Sequence, residues 1–178
     1  FAMQKIAHQL DEKIFADWTI AGRGALKGEA LQAFVNEQVG NRALERLKKP
    51  LAVVATDLNS GERVVFRTGE TGLAVRASAA VPGIFQPTPI MTKSGGRNYV
   101  DGGLTSPIPV QAVREMGAEI VIAVDISDNP AGQSTHNLLS ILWQTTTIMG
   151  KIIASNELKS ADIVIRPKLP RVKSWDFK

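Results

Sequence analysis

The chain has 178 residues, of which 44% are hydrophobic, and a formal net charge of +4, which fits one domain, or most of one, with a sizeable core. It contains no cysteine, which excludes disulfide bonds, thiolate catalysis and cysteine-ligated metals. Few aromatic residues accompany the basic ones, which argues against nucleic-acid binding and leaves a solvated surface or attraction to anionic lipid head groups.

The first part of the chain is predicted to contain two helices and a β-hairpin. Residues 1–17 have a helical pattern, and because the chain starts inside it without methionine, we expect an N-terminal part to be missing. A second helix is predicted at 27–39. The apolar run at 51–56 is typical of a strand buried on both faces, and it is expected to pair with residues 63–66 across the turn at 59–61.

Helices and strands alternate in the middle of the chain. A helix of small residues is predicted at 73–81, and two strands, at 90–91 and 98–100, are expected around a Gly95-Gly96 turn. The next helix is predicted at 109–116, because proline is favoured at a first helical position and Gly117 is a plausible end.

The last part of the chain is more apolar. The run EIVIAVDI at 119–126 is the clearest buried strand, and a last strand is predicted at 162–166. Between them, residues 137–158 have apolar side chains near helical spacing, which predicts a long helix packed on the core. Strands that alternate with helices predict an α/β layered fold with a largely parallel sheet. No apolar run reaches the ~18 residues that a membrane span needs.

The sharpest candidate for a functional residue is Asp101. It follows an apolar strand end, where functional residues of α/β sheets gather, and it precedes Gly102 and Gly103, which permit unusual backbone angles and close approach of another group. A carboxylate in that position can act as a general base when it lies about 2.6–3.2 Å from the group whose proton it takes. The alternative is that Asp-Gly-Gly is only a turn.

Other polar residues have structural explanations. Asp57 follows the run at 51–56 and is expected to bind nearby backbone amides. Two further acids, Asp125 and Asp128, lie in and just after the predicted strand at 119–126. Ser78 is not expected to be a nucleophile, because neither a base nor a tight strand-to-helix turn supports it.

Several common catalytic motifs are absent from the sequence. No serine has glycine two residues before and two residues after it, so the nucleophile motif of α/β-hydrolases is missing. No Gly-x-Gly-x-x-Gly phosphate-binding loop is present either. The two histidines, His8 and His136, have no evident acidic or metal-ligating partner, so a histidine-based triad has little support.

Seven segments, in consecutive order, together carry a resemblance to one protein family. The segments are residues 24–29 (GALKGE), 51–63 (LAVVATDLNSGER), 74–87 (AVRASAAVPGIFQP), 100–104 (VDGGL), 107–109 (PIP), 117–127 (GAEIVIAVDIS) and 161–167 (ADIVIRP). Each motif alone is weak, but the ordered set is specific and covers nearly the whole chain. The set resembles the bacterial branch of the patatin-like phospholipases.

The resemblance implies a three-layer α/β/α fold with a mostly parallel central sheet and a Ser-Asp dyad that hydrolyses lipid esters. Asp101 would be the base of this dyad, within the motif Asp101-Gly102-Gly103. No metal or other cofactor is implied; the expected partners are a lipid or ester substrate and, through peripheral contact, a membrane. The family's first strand, glycine-rich oxyanion loop and nucleophile elbow precede the matched region, so residues 1–178 are interpreted as the C-terminal part of one patatin-like hydrolase domain.

Several alternatives stay open at this point. The chain could come from a regulatory or adaptor protein of patatin fold that lacks the nucleophile, although the retained Asp101 with its two glycines argues against this. The helix at 137–158 could line the substrate entrance rather than the core, and Pro82, Ile84 and Phe85 could line an acyl pocket. Both a cytoplasmic and an exported parent protein fit the sequence.

Overall fold

The fold of the chain was obtained as a computed structural model. It divides into two compact units, with the boundary between Gly102 and Gly103. The predicted N-terminal helix lies outside the described residues, as do Asp128 and both histidines. The structure describes residues 17–18, 26–93, 95–127 and 137–168.

The first unit is built on a four-stranded antiparallel sheet. Its strands, in the spatial order β2-β1-β4-β3, are β1 (Val53–Asp57), β2 (Arg63–Phe66), β3 (Thr88–Thr92) and β4 (Gly95–Asp101). The prediction of a mostly parallel central sheet is therefore wrong for this sheet. Two of its three pairings are hairpins between consecutive strands, and such short loops can join only antiparallel neighbours, whereas parallel strands need a long crossover.

The hairpin predicted from the sequence is confirmed. Thr56 of β1 pairs with Arg63 of β2, and Gly61 in the connecting turn has a φ of 76°, which glycine adopts without steric cost. All residues of β1 are buried, as the apolar run predicted, although Leu51 at the start of that run is exposed. In the second hairpin, Gly95 and Gly96 are the first residues of β4 rather than the turn, and they pair with Thr92 and Met91.

Two helices, α1 (Glu29–Gln38) and α2 (Thr71–Ser78), confirm the helices predicted for this unit. They meet at Gly72, where an added Cβ atom would lie 2.3 Å from the backbone oxygen of Gln32. The Gly72 amide donates to Asn36 Oδ1 at 2.8 Å. The helix–helix contact therefore requires the smallest residue at this position.

The second unit contains a parallel pair of strands and two helices. Its elements are α3 (Val110–Glu115), β5 (Ile122–Val124), α4 (Leu138–Glu157) and β6 (Ile163–Ile165), with β5 and β6 paired in parallel. Gly117, with a φ of 92°, ends α3 as predicted. The core of this unit contains Ile108, Val110, Val121, Ala123, Ala154 and Leu158, with Val164 packed against it.

The prediction that the run at 119–126 is a buried strand is only partly right. Ala123 faces the core, but Ile122 and Val124 are 57% and 53% exposed. Successive side chains of a strand point to opposite faces, and within the described part of the second unit the core covers only one face. A strand in this apolar run is confirmed at Ile122–Val124, but the composition of the run does not show what lies on the second face of the strand.

The predicted long helix is confirmed, but its predicted packing is only partly right. Asn137 and Ser140 form a reciprocal capping box that fixes the start of α4. Ala154 and Leu158, near the C-terminal end of the helix, belong to the core. The large apolar side chains of its first four turns are mostly exposed.

Candidate functional site

Asp101 is the last residue of β4 and is held by its own backbone. It pairs with Ala55 of β1, its amide donates to the carbonyl oxygen of Ala80 at 3.0 Å, and its carbonyl oxygen accepts from Thr56 Oγ1 at 2.9 Å. The residue as a whole is half-buried. The sheet therefore fixes the backbone of Asp101 at the end of β4.

The alternation of side chains along β4 shows on which face of the sheet the Asp101 side chain lies. Residues two apart in a strand share a face, so Asp101 lies on the same face as Tyr99. Tyr99 packs with Ala55 and with Ala77 of α2 in one buried cluster, and its ring meets Phe66 edge-on at 5.2 Å between centroids. Burial, with a smaller contribution from the charge of Asp57, raises the pKa of the Tyr99 phenol, so it stays neutral near pH 7.

Glycine is required at position 102 because the backbone of β1 lies close to it. An ideal Cβ atom on Gly102 would lie 2.2 Å from the carbonyl oxygen of Val54, far inside van der Waals contact. The φ of Gly102 is outside the left-handed region, so the requirement is for space and not for an unusual backbone angle. Gly102 also begins a short 3₁₀ turn that continues through Gly103 to Leu104, so the turn interpretation and the close-approach interpretation of Asp-Gly-Gly both hold.

The structural role predicted for Asp57 is confirmed. Its side chain is buried, and Oδ1 accepts hydrogen bonds from the amides of Asn59 and Ser60 at 2.8 and 3.4 Å. Oδ2 accepts from Arg97 Nη1 at 3.1 Å. Both carboxylate oxygens are thus committed to the hairpin turn and to β4, which makes Asp57 a poor general base.

The remaining sequence candidates lie apart from Asp101 along the chain. Ser78 is the last residue of α2, whereas the nucleophile elbow places its serine where a strand turns into a helix. Asp125 follows β5; burial acts to raise its pKa, but hydrogen bonds from Ser127 and Arg166 outweigh burial and lower the pKa of this carboxyl below its ordinary value. Ile84 and Phe85 are half-buried and Pro82 is exposed; the acyl pocket suggested for them stays a prediction.

The residues that hold Asp101 in place were not predicted from the sequence. Thr56, Ala80 and Val54 lie 21 to 47 positions away along the chain, so no local motif connects them to Asp101. The one signal available was a threonine inside an otherwise aliphatic strand, Leu-Ala-Val-Val-Ala-Thr. A buried hydroxyl of this kind needs a hydrogen-bond partner, and here that partner is the carbonyl group of Asp101.

The family model for patatin-like phospholipase matches residues 2–114, a range that includes Asp101, Gly102 and Gly103. An uncharacterised NTE family protein of Mycobacterium bovis is 36% identical over 149 residues, which are 80% of this chain and 40% of the relative.

Two further relatives are matched over even smaller parts of their own length. A second uncharacterised NTE family protein of Mycobacterium bovis is 30% identical over 110 residues, 62% of this chain and 18% of the relative. The patatin-like phospholipase domain-containing protein 7 of Mus musculus is 28% identical over 175 residues, 93% of this chain and 13% of the relative. The chain thus spans less than half the length of these relatives, and the family model, which matches more than half of the chain, shows that it belongs to the patatin-like phospholipase family.

Proposed function

We propose that this chain supplies the catalytic carboxylate of a serine lipid acyl hydrolase, of the phospholipase A or lysophospholipase type. Asp101 is the base of a Ser-Asp dyad, and Asp101-Gly102-Gly103 is its motif. The observation that carries the proposal is that Asp101 is a half-buried residue that ends a strand of a patatin-family chain, with its backbone fixed by Ala80 and Thr56.

The position of Asp101 suits a base that must be held still while another group approaches. General bases act only within hydrogen-bond reach of the proton they take, and a carboxyl group on a strand is positioned more precisely than one on a loop. Gly102 lies so close to the carbonyl group of Val54 that a Cβ atom would not fit, which limits the movement of the chain directly after Asp101. The carboxylate of Asp57 is bound by three donors of the hairpin turn and β4, which favours a structural role for this second acid.

The proposed reaction has two halves that share one proton acceptor. Asp101 takes the proton of a serine hydroxyl as the serine oxygen bonds to the ester carbonyl carbon, and the tetrahedral intermediate then expels the lipid alcohol, which takes the proton from Asp101. In the second half Asp101 takes a proton from water as the water attacks the acyl-serine. Collapse of this second intermediate breaks the bond to serine, returns the proton to it and releases the fatty acid.

The nucleophile of this proposal lies outside the 178 residues, because no serine among them is flanked by the required glycines. We further propose that all 178 residues form the C-terminal part of one three-layer patatin-like domain, and that the purified chain alone does not hydrolyse esters. Turnover of a short-chain nitrophenyl ester by the chain, abolished by Asp101→Ala, would place the nucleophile within these residues and overturn this part.

The main test uses the full-length protein with Asp101→Asn, which keeps the size of the side chain but cannot accept the proton. We expect lipid ester hydrolysis to fall about 10²–10⁴-fold, the usual contribution of a general base, together with slower labelling by a fluorophosphonate probe. Asp125→Asn is the matched control and is expected to retain activity. Hydrolysis by Asp101→Asn at the wild-type rate contradicts the dyad, and a folded wild type that neither labels nor hydrolyses supports the adaptor alternative.

A further inference from the structure

Glu157 ends the helix α4 and points inward, where it binds a distant segment of the second unit. It is half-buried, and its two carboxylate oxygens accept from different donors. Oε1 accepts from the hydroxyl group of Ser106, which is buried, and Oε2 accepts from the amide of Ile108 at 2.9 Å. Because the donors lie 51 and 49 positions away along the chain, this one side chain ties the end of α4 to residues 106–108.

The position of Glu157 is unfavourable for the helix that carries it. The C-terminal end of a helix has a partial negative charge, which favours basic residues in the last turn and disfavours acidic ones. The last turn of α4 has no basic residue, and Glu157 is the only acid between positions 138 and 160. The helix itself therefore gives no reason for an acid at this position, whereas the two donors at residues 106–108 do.

The segment at residues 105–109 needs an anchor of this kind. It lies between the 3₁₀ turn of the Asp-Gly-Gly motif and α3, outside any helix or strand. Pro107 and Pro109 have no amide hydrogen, so the segment has fewer backbone donors than its length would otherwise give. The amide of Ile108, between the two prolines, is the one that binds Glu157.

The segment that Glu157 holds begins where the Asp-Gly-Gly motif ends. Upstream of the glycines, two hydrogen bonds fix the backbone of Asp101. Ser106 lies five positions after Asp101, and the two glycines between them have a backbone that is freer than that of other residues. Glu157 and both of its partners belong to the second unit, which begins at Gly103, so an effect of Glu157 on Asp101 passes along the chain itself.

We propose that Glu157 is a positioning residue for the catalytic carboxylate. By holding residues 106–108, it fixes the course of the chain after Gly103 and so restricts the orientations in which Asp101 can meet the serine hydroxyl. Glu157 acts through the chain and does not touch the substrate. This role rests on the proposed function of Asp101 as the base of the dyad, and it adds a second acid on which the rate of the reaction depends.

Steady-state hydrolysis of a lipid ester by the full-length protein with Glu157→Gln tests this role. Glutamine has nearly the same shape, but its side chain has one acceptor oxygen in place of two, so one donor loses its partner. We expect kcat to fall about 10-fold, within the ~10²-fold that a misplacement of about 1 Å can cost. KM is expected to change by less than about twofold, because the contacts with the substrate stay the same. Ser106→Ala, which removes one of the two donors, is expected to lower kcat by a smaller factor.

Leu158→Ala is the matched control, because Leu158 is the next residue and belongs to the core of this unit, but its side chain takes no part in these hydrogen bonds. It is expected to lower the denaturation midpoint and, at a temperature where all variants are folded, to leave kcat unchanged. A fall in kcat of equal size in Leu158→Ala and Glu157→Gln would assign the effect to the core. Either that result or a wild-type kcat in Glu157→Gln overturns the positioning role.

A double variant separates this role from the proposed function. If Glu157 acts through Asp101, Glu157→Gln has no further effect on hydrolysis once Asp101→Asn has removed the base. A further fall by the same factor as in the wild-type background would show that Glu157 acts elsewhere. A slow Asp101→Asn variant together with a wild-type rate in Glu157→Gln contradicts only the positioning role, whereas an Asp101→Asn variant at the wild-type rate contradicts the dyad itself.

Discussion

The carbonyl oxygen of Val54 occupies the space in which a side chain at Gly102 would begin, since an ideal Cβ atom there would lie 2.2 Å from it. Val54 precedes Ala55, the residue that pairs with Asp101 across the sheet. The first two residues of the Asp-Gly-Gly motif are thus fixed against the same short stretch of β1. Any residue larger than glycine at 102 must push β4 away from β1 and displace Asp101.

We expect Gly102→Ala to lower the free energy of unfolding by about 2 kcal/mol or more, because overpacking against backbone cannot be relieved by rotating a side chain. Gly96→Ala is the matched control, in the strand β4 that Gly102 follows. An added Cβ atom there meets only the sulfur of Met91, at 3.4 Å, so the change is expected to stay within about 0.5 kcal/mol. Chemical denaturation of both variants measures the difference, and equal stabilities would show that the approach to Val54 is not tight.

A second prediction concerns the two partners of one ion pair. Asp57→Ala removes a buried carboxylate that accepts from two backbone amides and from Arg97, so we expect a loss of about 2–3 kcal/mol from the donors left unpaired. Arg97→Met removes only the partly exposed guanidinium and is expected to cost less than ~1 kcal/mol. If denaturation gives the same loss for both variants, the ion pair and not the hairpin turn dominates.

A third prediction concerns pH. The backbone hydrogen bond from Val121, at 2.7 Å, and the Arg114 guanidinium, at 2.6 Å, hold the pKa of the Asp162 carboxyl below its ordinary value of 3.8. A lowered pKa in the folded state means that the stabilisation is complete above the unfolded value and is lost as pH falls through the folded one. Wild type is therefore expected to be more stable than Asp162→Asn at neutral pH, with the difference shrinking once the pH falls below about 3.8.

The denaturation midpoint of both proteins, followed from neutral to acid pH, checks this prediction. Glu37→Gln is the control, since Glu37 is an exposed acid on α1. The difference in denaturation midpoint between this variant and wild type is expected to stay the same at every pH of the series. A difference between wild type and Asp162→Asn that persists unchanged in acid would show that the contact does not depend on the charge of the carboxylate.

Local signals in the sequence predicted the elements well, but apart from the β1–β2 hairpin they did not predict which elements pair. The turn residues between β1 and β2 identified a hairpin, and Gly117 marked the end of α3, because these features depend on neighbouring residues alone. The direction of the central sheet was wrong, since periodicity does not specify which strands pair. The exposed faces of β5 and α4 were missed for the same reason: apolar composition shows that a face avoids water, not what covers it.

The residues of the candidate site were also predicted only in part. Asp101 with its two glycines stood out locally, after an apolar strand end. The contacts that fix it, from Thr56 and Ala80, depend on strand pairing across more than 20 residues and so left no motif. Asp57 was the exception, because an aspartate that binds the amides two and three residues ahead forms its contacts within the turn itself.

A fourth prediction concerns the inward acid of α4. Glu157 is the common acceptor for the Ser106 hydroxyl and the Ile108 amide, and Ser106 is buried. Removing it leaves both donors without this partner, so we expect Glu157→Ala to cost about 1–3 kcal/mol of unfolding free energy. Glu157→Gln keeps one carbonyl oxygen, and its amide group cannot accept from the second donor, so its loss is expected to be smaller but measurable.

Ser155→Ala is the control for this substitution, because Ser155 is exposed two residues earlier on the same helix and its hydroxyl donates only within that helix, to the oxygen of Ile152. We expect it to change stability by no more than about 0.5 kcal/mol. Since Ser106 and Ile108 lie in the segment between the Asp-Gly-Gly motif and α3, the loss of Glu157 should also speed amide hydrogen exchange at Ile108. Unchanged exchange and stability in Glu157→Ala would mean that the core around Ile108 and Val110 holds this segment without the carboxylate.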